Sequence, residues 1–201
     1  MNYILALIMF AGVLSCAGQS NKKNINQQKN IKMETFDQER FDNNKINGVY
    51  EFTGDDSSKI KQWASPPDNY TEQIQKNKSN YILYKEFHFK TKLLKTIGKI
   101  FYGFPIGTWK EYDLHGKLFK EINYDRPFVF SVEDLNSQMK KEGIDIMKQQ
   151  PGVSVSRTTN PVPNYNVSYP VSDTNANDFN VIVIDGITGK IINRAVKTRT
   201  K

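Results

Sequence analysis

The sequence predicts an α+β chain that is mainly β: a sheet of repeated β-hairpins, then a small domain of one helix on an antiparallel sheet. Three observations predict it. Between residues 34 and 126, short aromatic and aliphatic runs alternate with turn residues, the pattern of half-buried strands joined by tight connections. Inside that stretch one segment aligns on a later one without gaps at a period of 25. From residue 127 the hydrophobic period turns helical once and then returns to short apolar runs.

The chain opens on an uncharged apolar run, residues 4–14. Its length suits a signal-peptide core of about 7 to 15 residues and falls short of the roughly 20 that cross a bilayer. Behind it stands Val13-Leu14-Ser15-Cys16, with the only cysteine of the chain. This resembles a bacterial lipoprotein signal: an aliphatic residue, a small residue, then the acylated thiol. The resemblance implies cleavage after residue 15 and a diacylglycerol with its fatty acyl chains, such as palmitate, on Cys16. It departs from the pattern in having no Lys or Arg before the apolar run, and Val13 where Leu is commoner. An ordinary secretory signal, or a short hydrophobic leader with an incidental cysteine, is the alternative. Ala17 follows the cysteine, which by similarity to lipoprotein sorting rules implies the outer membrane, facing the periplasm. Residues 16–33 are almost wholly polar and without period, so they cannot bury enough apolar surface to offset their ordering entropy and read as a flexible tether.

Residues 34–126 are expected to be strands. Residues 48–52 and 59–63 flank a Gly-Asp-Asp-Ser-Ser turn, and the Ser-Pro-Pro-Asp-Asn run at 65–69 reads as a loop. Residues 84–96 then align on 109–121, with Tyr84 matching Trp109, Phe87 matching Tyr112, and a shared Lys-Glu and Lys-Leu. Each copy reads as a hairpin, turning near 90–91 in the first and at 113–116 in the second; a third copy is suggested around Tyr50 and Ile60. The spacing of Gly107, Trp109, Tyr112, Gly116, Leu118, Glu121 and Tyr124 resembles the variant MORN repeat, similar to repeats in YwqK-type antitoxin-like proteins and many envelope lipoproteins. The resemblance implies that these seven residues are structural. In the first copy Thr91 occupies the turn glycine's place.

In residues 127–201, Ser131 and Asp134 form a capping-box-like start, Val132, Leu135 and Met139 share one helical face, and Gly143 suits a C′ position. This predicts a helix over 132–142. Strands follow at 153–157, 165–171 and 179–185, the last apolar on both faces and therefore central and covered. A tight turn at 185–190 leads into Ile191 and Ile192. This arrangement is similar to PepSY-like domains.

A formal charge of +7 raises the question of nucleic acid. The lysines are spread along the chain, often beside Asp or Glu, and no basic-aromatic motif of an RNA-binding sheet is present; no nucleic-acid partner is expected. His88 and His115, the only histidines, have no ligand-spaced neighbours, so no metal site is expected. Glu86 and Glu111 recur through repetition and read as partners of adjacent lysines. The Gly186 to Lys190 run lacks the gap and following helix of a phosphate loop. With no nucleophile elbow and Cys16 committed to lipid, no catalytic residue and no cofactor is expected. Aromatic side chains are the better candidates for binding. Tyr102 and Phe104, in the connection between hairpins, are the candidate surface, whereas Trp109 and Tyr112 read as sheet core. The expected function is a lipid-anchored, non-enzymatic envelope protein, held to the membrane through Cys16, that binds a protein or an envelope polymer. An immunity, antitoxin-like or protease-inhibitor role is the alternative.

Overall fold

The computed structural model describes residues 33–172 and 175–198; Cys16, the leader and nearly all of the tether lie outside them. The chain is α+β and mainly β. A short helix α1 (Gln38–Asn44) precedes strands β1 (Val49–Thr53), β2 (Lys59–Ser65), β3 (Asn69–Gln75), β4 (Tyr81–His88), β5 (Leu94–Phe101), β6 (Phe104–Tyr112) and β7 (Leu118–Asn123). Helix α2 (Val132–Met139) then leads to β8 (Ser154–Thr158), β9 (Asn164–Ser172), β10 (Asn175–Asp185) and β11 (Ile191–Thr198). Strands β1 to β7 form one antiparallel sheet in sequence order, and β8 to β11 form a second, also in sequence order.

Both repeats are hairpins, β4 with β5 and β6 with β7, and β1 with β2 makes a third. The two repeats even share a register shift at the equivalent step, between Glu86 and Phe87 and between Glu111 and Tyr112. Their return strands, however, are offset by one residue from the gapless alignment. Phe87 pairs with Leu94, whereas its counterpart Tyr112 pairs with Leu118. The cause is the turn. In the second repeat the left-handed residue is Gly116 (φ 79°), but in the first it is Lys92 (φ 64°), one place later, so the first connection is one residue longer. Strand β3 follows directly after the turn at residues 66–68 and completes a hairpin with β2.

Among the described residues, only one face of the seven-stranded sheet is covered by other elements. At one end it is closed by residues that the alternation assigned to strand and that are in fact a short helix with its lead-in. The Asp37 carboxylate accepts from the Arg40 amide at 2.9 Å to cap α1. Phe41 is the single buried residue of that helix, and one apolar position in seven residues carries no detectable period. Phe36 stacks on Tyr70 with centroids 4.4 Å apart, and Phe41 and Phe87 close around them. Lys85 is buried beneath this segment and paired with Glu34 at 2.6 Å and Glu72 at 3.3 Å, so its charge is compensated where it is desolvated.

At the other end α2 and the second sheet close over Phe101 and Ile106, and these join Leu135, Met139, Tyr165 and Ile182 in one buried cluster. The capping box at Ser131 and Asp134 is formed in both directions. Helix α2 continues as a 3₁₀ turn over Lys140–Glu142 and stops at left-handed Gly143, matching the expected end. Arg157 fastens the two sheets: its guanidinium bonds the Asp125 carboxylate at 2.8 Å and the carbonyls of Tyr124 and Pro105, and lies over Phe104 and Phe128. Strand β10 is central, as expected. Its burial is complete on one face only, at Ile182 and Ile184, while Val181 and Val183 are half-buried. Strand β11 is an edge, exposed along nearly its whole length, and is tied to the 3₁₀ turn by a bidentate Arg194 to Glu142 pair.

Candidate functional site

Strand register builds the open face of the seven-stranded sheet. Directly opposite residues share a face, and neighbours along a strand alternate. One transverse row reads Trp63, Thr71, Glu86, Thr96, Glu111, Lys120. The next reads Lys61, Gln73, Tyr84, Gly98 on β2 to β5, with Trp109 opposite Ile122 at the far side. Trp63, Tyr84 and Trp109 belong to neither hydrophobic cluster among the described residues, while Thr71 is buried between its neighbours in the first row. Both tryptophans of the chain therefore lie on the side that no described element covers.

Trp109 lies flat on the sheet because Gly98 leaves it room. A Cβ on Gly98 would fall 2.1, 2.2 and 2.4 Å from three indole atoms, and such nearly equal distances mean that the ring plane caps the glycine. One side of the indole rests on the glycine, and the residue as a whole is half-buried. Its Nε1 donates to the Lys99 carbonyl at 3.2 Å. Tyr84 stacks with it at 5.5 Å and 29°, and Tyr124 meets it in a T-shaped contact at 5.7 Å and 71°. The Tyr84 hydroxyl donates to Glu86 at 2.8 Å. Burial first, then the Glu86 carboxylate, push its pKa up to about 12, so the phenol stays a donor throughout the neutral range.

Three ion pairs lie on this face, and Lys59 on the same side has no salt bridge among the described residues. Glu51 pairs with Lys61 at 2.9 Å, Glu86 with Lys95 at 3.7 Å and Glu111 with Lys120 at 3.2 Å. Two hollows flank the aromatic centre. One, of about 440 Å³, is lined by Lys61, Gln73, Gln75 and Ile82. The other, of about 430 Å³, lies at the hairpin tips and brings together His88, Thr96, Glu111 and His115. Sequence spacing did not reveal that the two histidines share a hollow. His88 Nε2 is committed to the Tyr112 carbonyl at 3.0 Å, and no group of three metal-ligating side chains occurs among the described residues.

The residues singled out from the sequence scatter over both faces. Tyr102 and Phe104 lie not in an irregular connection but at a two-residue turn, with Phe101 paired to Phe104 and with Tyr102 and Gly103 at φ 47° and 88°. Both are half-buried against the cluster under α2. The Tyr102 hydroxyl accepts from Asn80 at 2.7 Å, and burial pushes its pKa up to about 12. Tyr112 packs on the covered side, and Trp109, expected in the core, is half-buried on the open one. Gly107 (φ 66°) donates to Asp125 at 2.8 Å and accepts from the Tyr124 amide. Gly116 turns the hairpin, Glu121 pairs with Lys110 at 3.5 Å, and Leu118 is 41% exposed on the edge strand. Cys16 lies outside the described residues. Trp63 and Gly98 were missed. Alternation from Ile60 already places Trp63 on the opposite face from that isoleucine, but the Gly98 seat for Trp109 depends on the register shift between Ile97 and Lys99. Comparison with protein-family models, curated proteins and solved structures gave no match to this chain.

Proposed function

We propose that this is a lipid-anchored cell-envelope protein acting as a non-enzymatic binding module for a protein or an envelope polymer, and that the open face of the seven-stranded sheet is the surface it presents. The observation that carries the reading is the gathering of both tryptophans, with Tyr84, on the one side that no described cluster covers. Large rigid aromatics with a polar atom are favoured where a surface must be apolar and wet in turn. Cys16 supplies the membrane attachment, with the outer membrane facing the periplasm as the location. Two measurements test the two halves. Alkyne-palmitate labelling is expected to mark the wild type and not Cys16→Ser, which is released from membranes; equal retention of both forms ends the lipoprotein reading. Capture of partners by the acylated protein is expected to fail for Trp63→Ala/Trp109→Ala while Tyr102→Phe retains it. The reverse outcome moves the contact surface to the hairpin turn.

A further inference from the structure

The open face carries enough chemistry to name a ligand class, provided that it is the contact surface, and the assignment rests on that reading. We infer that it is a carbohydrate platform whose ligand is a neutral, β-linked hexose or N-acetylhexosamine chain lying across β2 to β6.

The Trp109 indole rests against Gly98 and is half-buried on the open face, beside Tyr84. An aromatic face is electron-rich, so it attracts the weakly positive C–H groups on the flat side of an equatorially substituted pyranose. Trp63 stands four strands away from β6, about 19 Å at the usual strand spacing, a separation that suits an extended chain. Between and beside the rings stand groups that both donate and accept, the Gln73 and Gln75 amides and the Thr96 hydroxyl, matching the dual character of sugar hydroxyls.

Charge complementarity selects against other occupants. The chain as a whole carries +7, yet each of Glu51, Glu86 and Glu111 on this face is neutralised by its own lysine. Among the described residues a polyanion meets a single unpaired lysine there, Lys59, and gains little from such a surface. A close-packed protein partner would have to strip water from ion pairs lying between the aromatics, a costly exchange. Sugar hydroxyls replace that water with hydrogen bonds of their own.

Both tryptophans lie on the face, so intrinsic fluorescence of the full chain, held in a detergent without a sugar headgroup, reports this site alone. The probes are the hexamers of β-1,4-linked N-acetylglucosamine and of β-1,4-linked glucose, with heparin and phosphatidylglycerol vesicles as charged controls. A saturable emission change with one of the hexamers is expected, weakened about tenfold or more in Trp109→Ala and only a few-fold in Trp63→Phe, which keeps a ring; circular dichroism confirms that each variant is folded. Silence with both hexamers, equal binding by Trp109→Ala, or saturation by heparin or vesicles instead overturns the inference. If the hexamers fail while Trp63→Ala/Trp109→Ala still abolishes capture of a protein, the binding face stands and the glycan assignment falls; if both fail, both fall.

Discussion

The two faces of the seven-stranded sheet are made by the same strands from alternate residues, yet they differ in kind. The covered face contributes Tyr70, Phe87, Leu94, Phe101 and Ile106, all buried. The open face contributes Trp63, Tyr84 and Trp109, all half-buried, among glutamines, threonines and ion pairs. Aromatic content does not separate them. The distinguishing feature is the company that the rings keep: on the covered face Tyr70 and the phenylalanines pack against Leu, Ile and one another in buried clusters, while on the open face Trp63, Tyr84 and Trp109 stand among polar side chains and belong to neither cluster. Even the buried charge follows this division, since Lys85 on the covered side is enclosed by two carboxylates and the open-face pairs keep their water.

Four substitutions put this contrast between the faces at risk. Phe101→Ala removes a ring with no exposure, in contact with Tyr81, Tyr102 and Phe104; a loss of about 3 to 5 kcal/mol in denaturant unfolding is expected. A loss below about 1 kcal/mol would show that the covered face is not the core. Next comes Gly98→Val, which pushes a side chain into the seat of Trp109. Overpacking of this kind costs about 1 to 3 kcal/mol, and tryptophan emission shifts to the red as the indole lifts into water; an unchanged spectrum would mean that the ring does not rest on the glycine. Tyr102→Phe deletes the hydroxyl that accepts from Asn80 and is expected to cost about 0.5 to 1.5 kcal/mol. Unaltered stability with lost partner capture would instead make Tyr102 part of the contact surface. Smallest is Lys120→Ala, which frees Glu111 in an exposed pair and changes stability by no more than about 0.5 kcal/mol; a larger loss would reveal a cover over the open face.

Much of the fold was legible in the sequence where a local rule decides it. The repeat announced two hairpins because turn residues and aromatic strands recur together, and Ser131 with Asp134 announced α2 because a capping box is a contact between near neighbours. Which face of the sheet is covered was not legible. Both sets of alternate residues contain aromatics, and the elements that close over one of them, the α1 segment and α2, are far away in sequence from the strands that they cover. Nor could alternation alone seat Trp109, since a single register shift at Ile97 to Lys99 decides what lies beneath it. The candidates Tyr102 and Phe104 were drawn from the rule that connections lie on the surface. A two-residue turn, directly beside strands that bury Phe101, holds them half-buried against the cluster under α2.

The strictly sequential order of β1 to β7 has a consequence for how such a sheet is acquired as well as how it folds. Every strand finds its partner in the adjacent stretch of chain, so each closure is short and ordering can proceed hairpin by hairpin. Duplicating or deleting one 25-residue unit leaves every remaining strand beside a sequence neighbour, with no connection to rethread. The width of the sheet is thereby open to change by simple gene duplication.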